Sequence, residues 1–496
     1  MEKIQKIILL VVNVIIVCEG SLEDCKPKVA IIGGGIGGAS AAHFISELFE
    51  NFVDIELFEA DKIGGRLATV TLQNNQYEAG GSIIHDRNQL MKRFSKLLGL
   101  EPRPNSGSEL YGIWNGDEFI FQESNYEIIT LVKLIYRYGT DPVYLHRYLD
   151  SILDDFDKIY KLHDDGHGFL NVTDFLAAMN PRFPEMLQVS IRDHLTNLGY
   201  SNRLIDELVQ STLVVNYGQE TDVHSFVGCV SVTGAGSSLW SIKGGNKRVV
   251  EGLLNKHKHI RIRPHIVEKI KYNEQYDWAD KISSDYPYTV THKGENDGQA
   301  DEYDIVIVTA PLTSDHRMLI EFQNFPNNEN FIFSGNYQTT YATFIEGELN
   351  HTYFGGDSSI QGILSCNPEK TIVSSVGKLS SVEGEESSVW KIFTRNPLTP
   401  DIIGRMFSKI DEKTGPITYE WKAYPRYSVN DKPGSFKLHN ALYHGNPIEW
   451  AASAMEMSAI GGRNVAILAY NDYVNRCKKL KDFRSKTRKL NSKIEL

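Results

Sequence analysis

The sequence predicts an α/β protein: a Rossmann-like nucleotide-binding domain assembled from separated stretches of chain, interleaved with a second, partly helical domain. Three observations carry that prediction. An apolar run, Lys28-Val29-Ala30-Ile31-Ile32, passes directly into Gly33-Gly34-Gly35-Ile36-Gly37-Gly38, and a helical stripe and a second strand follow. A similar run, Asp304-Ile305-Val306-Ile307-Val308, ends in Thr309-Ala310-Pro311 much later in the chain. Finally, 41% hydrophobic and 23% charged residues across 496 positions describe a globular chain of two or three domains at roughly 150 residues each. A chain of this length builds its core without disulfides, and five cysteines are too few for a disulfide scaffold. With 52 basic against 63 acidic residues the net charge is −11, which argues against a general nucleic-acid binder, because phosphate affinity rests on Lys and Arg.

The first residues read as an address. Lys3 and Lys6 precede an apolar run from Ile7 to Cys18, and Glu19, Gly20 and Ser21 follow. This is the pattern of a secretory signal peptide spanning residues 1–20 and cleaved near Gly20. The run is well short of the roughly 20 residues that span a bilayer, and no second run of spanning length occurs, so no stable membrane insertion is expected. In that pathway Asn171-Val172-Thr173 and Asn350-His351-Thr352 fit the N-glycosylation pattern, which implies exposed positions. Disulfides are permitted there. The pairing of Cys25, Cys229, Cys366 and Cys477 does not follow from the sequence, and none has CxxC spacing. Residues 478–496 read as a basic, solvated tail.

The glycine segment satisfies GxGxxG through Gly33, Gly35 and Gly38. Ala41, Phe44, Ile45, Leu48 and Phe49 then form one apolar helix face, and the strand Asp54 to Phe58 ends at Glu59, 21 positions after Gly38. Each part has a physical task. The first glycine makes the tight turn, the second lets backbone approach a pyrophosphate, and the third lets helix pack on strand. The pyrophosphate sits at the helix N-terminus, and Glu59 is placed to accept hydrogen bonds from a ribose.

This motif alone does not choose between NAD and FAD. Directly after the acid comes Asp61-Lys62-Ile63-Gly64-Gly65-Arg66, and then Tyr77-Glu78-Ala79-Gly80-Gly81-Ser82. That second glycine turn resembles the FAD-binding amine oxidase superfamily. The resemblance implies that Gly65, Arg66, Gly80 and Gly81 run along the cofactor, Arg66 neutralising phosphate charge and the glycines admitting backbone to the flavin. Three later segments fit: Lys243-Gly244-Gly245-Asn246-Lys247 before the helical Val249 to Leu254, Arg263 to Val267 read as one strand, and Asp304 to Pro311. By resemblance Val267 is the adenine-contacting position. Near the end, small residues from Glu449 to Ile460 precede a helix of Val465, Ala466, Leu468 and Ala469, with alanine and serine where the superfamily has glycine.

Taken together, IIGGGIGGAS, FEADKIGGRLATV, YEAGGSIIH, WSIKGGNKRVVEGLL and AMEMSAIGGRNVAILAYN resemble the prenylcysteine oxidase family over nearly the whole chain after the signal peptide. That resemblance implies a lysosomal, glycosylated FAD protein. Its substrate is S-prenyl-cysteine, which it oxidises with dioxygen and water to a prenyl aldehyde, free cysteine and hydrogen peroxide. From where the motifs fall, the FAD domain is expected over residues 26–100, 230–311 and 441–477, with a substrate domain over 101–229 and 312–440. The stretch 121–220 is helical in character, with Ile128, Leu131, Val132, Ile135 and Tyr136 on one face. His85 is the candidate base for the attacking water, or else a hydrogen-bonded structural residue. Lys243 is a candidate holder of water or of a substrate carboxylate, or a snorkelling surface lysine. Trp421, Tyr424 and Tyr427 could line an isoprenoid tunnel or pack a core. His257-Lys258-His259, with no Cys or acid nearby in the chain, is not read as a metal site. Two alternatives share this scaffold: a flavin amine oxidase acting on polyamines or monoamines, and a non-enzymatic prenyl-binding protein of the GDP-dissociation-inhibitor type. Chain-length preference and oligomeric state are not legible.

Overall fold

A computed structural model describes residues 25–104, 110–234, 239–278, 286–294, 298–316, 319–326, 331–356 and 359–477. The expected signal peptide and the basic tail lie outside the described residues.

The first apolar run forms the strand Lys28–Ile32 near the middle of a six-stranded sheet. The order is Lys437–His439, Leu442–His444, Ile305–Val308, Lys28–Ile32, Asp54–Phe58 and Ile260–Arg263. All neighbours run parallel except the first pair. Parallel strands are covered on both faces and therefore read as continuous apolar runs. Ile305, Val306, Ile307 and Val308 are accordingly fully buried. The glycine turn opens the helix Ile36–Leu48, which packs along the 22-residue C-terminal helix Met455–Arg476. Contact there is close: a Cβ added at Gly462 would meet the Gly37 backbone carbonyl at 2.2 Å, and the Ser40 side-chain hydroxyl donates to the Ala459 carbonyl at 2.7 Å. A disulfide between Cys25 and Cys477, Cα atoms 6.3 Å apart, joins the residue before the first sheet strand's approach to the residue ending the last helix. Cys229 and Cys366 are free and buried.

Two expectations need correction. The segment Arg263 to Val267 is not one strand. Proline has no N–H for a ladder, and at Pro264 the chain leaves the parallel sheet; Ile266–Tyr272 then enters a separate four-stranded sheet with Gln299–Tyr303, Tyr288–Lys293 and Glu321–Gln323. The final helix also begins earlier than read, at Met455, because the small residues after it pack as helix.

The second domain is a mixed sheet that draws on both intervening stretches of chain. Leu110–Trp114 pairs in parallel with Ile360–Ser365, which is followed by Val373–Ser380, Glu386–Thr394 and the long strand Tyr337–Leu349. Ile417–Pro425 adds to that long strand. The helix Ser225–Thr233 runs across the expected boundary at 230. Helices do occupy much of 121–220, among them Glu127–Tyr138, Asp141–Phe156, Val172–Met179 and Gln210–Tyr217. The apolar face of Glu127–Tyr138, however, points outward: Ile128 is 69% exposed, Val132 60% and Tyr136 92%. No described helix is long and apolar enough to cross a membrane.

The two glycosylation asparagines are half-buried rather than exposed. Asn171 caps the helix Val172–Met179, its Oδ1 accepting from the Asp174 N–H at 2.8 Å. Asn350 donates to the Arg405 carbonyl at 2.9 Å and accepts from the Thr352 hydroxyl.

Candidate active site

Two glycine turns meet face to face. Gly33 has φ +111°, and its N–H reaches the Phe58 carbonyl at 2.8 Å, so the first turn is stitched to the second strand. A Cβ on Gly38 would sit 1.9 Å from the Gly33 carbonyl, closer than any side chain tolerates. Gly35, by contrast, faces open space; an added Cβ would meet nothing nearer than the Gly64 carbonyl at 3.8 Å. The second turn, with Gly64 at φ +114° and Gly65 at +56°, lies directly alongside: the Gly64 N–H donates to the Gly34 carbonyl at 2.9 Å. Glu59 closes the corner. One carboxylate oxygen accepts from the Gly34 N–H at 2.7 Å and the other from the Asp61 N–H at 2.9 Å, which leaves acceptor capacity on both.

Arg66 points elsewhere. Its guanidinium pairs with the buried carboxylate of Glu449 and donates to the Ala423 carbonyl at 2.7 Å. Burial opposes its charge, but Glu449 outweighs that and holds Arg66 firmly protonated. Glu449 also accepts from the Tyr337 hydroxyl at 3.0 Å. The phosphate-neutralising role expected of Arg66 is thus replaced by an internal ion pair that ties the second glycine turn to the segment before the C-terminal helix.

Gly80 and Gly81 lie over the same arginine's backbone. A Cβ at Gly80 would fall 1.9 Å from the Arg66 carbonyl, and the Gly81 N–H donates to that carbonyl at 3.1 Å. On the far side Gly81 faces Met455, the first residue of the C-terminal helix. Asn246, from the KGGNK turn, binds this loop: its Nδ2 donates to the Gly81 carbonyl at 3.0 Å and its N–H to Glu78 Oε1 at 2.6 Å. The C-terminal helix start is itself fastened by Glu456. Burial raises its carboxyl to about 7, while the Leu90 and Met91 N–H groups and the Tyr160 hydroxyl donate to it.

His85 belongs to a two-residue strand, Ile84–His85, paired with Leu239–Trp240, which brings it onto the segment leading to Lys243. The Arg87 N–H donates to His85 Nδ1 at 3.0 Å, and burial, with Arg87 opposing Asp86, lowers the ring's pKa. A neutral ring accepting at Nδ1 carries its proton on Nε2. Lys243 is half-buried, its backbone N–H bound to the Glu101 carbonyl at 2.9 Å. Val267 is buried opposite His292 in the four-stranded sheet. Tyr424 and Tyr427 both meet the Tyr217 ring edge-on, at 5.0 and 5.4 Å, and Tyr427 accepts from the Ser453 N–H at 2.9 Å. Trp421 stacks on Tyr419 instead. An open groove of about 520 Å³, lined by Glu348, Lys378, Glu386 and Trp390 among others, shares no residue with this site.

Lys391 was not singled out by sequence. It is the only buried lysine among the described residues. Burial lowers its pKa to about 8 despite the nearby Glu78, and Nζ donates to the Glu78 carbonyl at 3.2 Å, beneath the Ala79-Gly80-Gly81 turn. The available signal was one charge inside an otherwise strand-like run, SSVWKIFT. Glu78 is buried too, with a raised pKa and Oε2 unpartnered within the protein.

A family profile described as prenylcysteine lyase matches residues 121–482, and one described as an NAD(P)-binding Rossmann-like domain matches residues 31–97. Prenylcysteine oxidase 1 of Mus musculus is 37% identical over 474 residues and that of Homo sapiens 38% over 475, each spanning 91% of both chains. Prenylcysteine oxidase 1-like of Bos taurus is 31% identical over 463 residues, covering 90% of this chain and 91% of its own. Among solved structures, a putrescine oxidase double mutant has a TM-score of 0.56 at 14% identity, over 90% of this chain and 99% of its own. A fatty acid isomerase from P. acnes has a TM-score of 0.57 at 14% identity, over 91% and 99%. These two likenesses speak for the fold, whereas the profile and the curated relatives speak for descent: the chain belongs to the prenylcysteine lyase family.

Proposed function

We propose that this protein is an FAD-dependent thioether oxidase that cleaves S-farnesyl- or S-geranylgeranyl-cysteine. The observation that carries the reading is the direct contact of the two glycine turns, Gly34 carbonyl to Gly64 N–H, with open space over Gly35 and Glu59 at the corner. These residues fit the nucleotide: Gly35 and the first turn of Ile36–Leu48 would hold the diphosphate, and Glu59 the adenosine ribose. Bound FAD would supply a two-electron acceptor.

The substrate's own chemistry defines the rest. The carbon bonded to sulfur is also allylic, so positive charge left by hydride loss is shared between sulfur and the alkene. Water adds at that carbon, and the thiohemiacetal collapses to aldehyde and cysteine thiol. With dioxygen reduced to hydrogen peroxide, atoms and electrons balance. The protein's share is positioning. Lys391 uses one N–H on the Glu78 carbonyl and has two more to hold a water. His85, with its proton on Nε2, acts as a hydrogen-bond donor rather than as the base first expected of it. The tyrosines Tyr217, Tyr424 and Tyr427 offer an aromatic wall for the prenyl chain.

The signal peptide read from residues 1–20, together with the Cys25–Cys477 disulfide, supports passage through the oxidising secretory route, with the lysosome as destination. The test is incubation with farnesylcysteine in air, which should yield aldehyde, cysteine and peroxide together from yellow, FAD-loaded protein. Peroxide from polyamines alone would overturn the substrate, and colourless folded protein that takes up no FAD would overturn the cofactor. His85→Ala should slow turnover about tenfold with flavin retained, on the order expected for one lost hydrogen bond to a polar partner; unchanged turnover would remove it from the site.

A further inference from the structure

The far end of the nucleotide-binding helix carries a second cluster. His43 and Glu47 are one turn apart on Ile36–Leu48, and His257 is the residue that ends the helix Lys247–Lys256. Their ligand atoms all lie within 4.8 Å of one another. We propose that His43, Glu47 and His257 bind a zinc ion that clamps these two helices together, with water completing a tetrahedral site.

The geometry is close to what zinc requires. His43 Nδ1 and His257 Nε2 face each other at 2.9 Å. Zinc–nitrogen bonds of about 2.0–2.1 Å in a tetrahedron hold neighbouring nitrogens about 3.3 Å apart, so the rings need to part by only a few tenths of an ångström. The Asn51 side-chain oxygen Oδ1 lies 3.1 Å from His257 Nδ1, which places the ring proton there and the lone pair on Nε2, toward His43. Outer hydrogen bonds of this kind orient metal-bound imidazoles. Glu47 is exposed, its carboxylate has no other partner among the described residues, and its side chain is free to swing in. His259 is occupied by the Ser46 hydroxyl at 2.9 Å and stays outside.

Electrostatics act in both directions. Burial, then the neighbouring ring and the cations Arg93, Lys256 and Arg463, hold His43 neutral down to about 3, and burial with His259 and Lys256 holds His257 neutral to about 4. In the metal-free protein the 2.9 Å contact is itself a hydrogen bond, His43 Nδ1–H donating to the His257 Nε2 lone pair, and zinc would take that proton's place with the His43 ring in its other neutral tautomer. The same cations oppose a divalent ion, and the Glu47 carboxylate is the group that offsets them. The sequence alone excluded metal at His257 because no acid was near; the fold supplies one from a helix 210 positions earlier.

The test uses the tag-free, FAD-loaded chain, stripped with a chelator, dialysed and titrated with zinc chloride alone. One zinc per chain should bind, with a rise in Tm. Cobalt(II) in its place should give tetrahedral bands at longer wavelength than flavin absorption. Glu47→Gln, at an exposed position, should keep its FAD yet bind zinc at least about tenfold more weakly, and His257→Gln should do the same. Less than about 0.1 equivalent bound by the parent chain, or Glu47→Gln binding as tightly as the parent, overturns the proposal.

Discussion

The nucleotide-binding domain and the mixed-sheet domain are constrained in different ways. In the first, backbone touches backbone at Gly33–Gly38, Gly80–Arg66 and Gly37–Gly462, where each approach forbids a side chain, and the two glycine turns are joined by the Gly64 N–H to Gly34 carbonyl bond. In the second, strands from distant parts of the chain pair, and single charged groups such as Lys391 end up buried by that pairing. The lesson is that a site made of backbone is written locally, while a site made of side chains depends on who the neighbours turn out to be.

The sharpest break of this contrast is Gly38→Ala. Its Cβ would overlap the Gly33 carbonyl at 1.9 Å, and the first turn has no room to move. Overpacking of this kind costs at least about 1–3 kcal/mol, and FAD occupancy, read from absorbance, should be largely lost.

Next comes Lys391→Met, which should lower turnover about 100-fold while FAD stays bound, since loss of a positioned proton-handling group typically costs that much. It also has a pH signature. The folded pKa of about 8 lies below the ordinary 10.5, so between those values the unfolded chain holds more protons and folded stability rises with pH. The parent should therefore gain stability relative to Lys391→Met from pH 8 to 10.5, by up to about 3 kcal/mol. Denaturant melts at both ends of that window check it.

Glu59→Ala should weaken FAD binding about tenfold, the worth of one charged hydrogen bond to a ribose, measured by flavin titration of the stripped protein. The smallest effect should come from Gly377→Ala in the mixed sheet. An added Cβ there meets nothing within 4 Å, and the φ is not positive, so folding stability, read from denaturant melts, should change by no more than about 0.5 kcal/mol. A large loss there would show that the second domain is as backbone-limited as the first.

How much was legible follows the same division. The strand, turn, helix, strand and acid from Lys28 to Glu59 stand where spacing put them, because Gly33 and Gly38 answer each other within one turn and Gly35 keeps the space between them and the second turn open. Arg66 was misplaced because its partner, Glu449, is 383 residues away. Lys391 carries no signal of its own, and Asn246, although inside the KGGNK segment, shows no role, since neither residue type nor spacing distinguishes them until the sheet and that turn close over Glu78. The helix Glu127–Tyr138 has a clear apolar face, yet periodicity cannot say that the face looks outward.

The disulfide between Cys25 and Cys477 spans 452 positions, so it closes nearly the whole described chain into one loop. A chain cut short anywhere between its two cysteines leaves Cys25 without this partner. Once closed, it turns the chain between them into a covalent ring, so that a single backbone cut in any surface loop opens the ring without releasing a fragment.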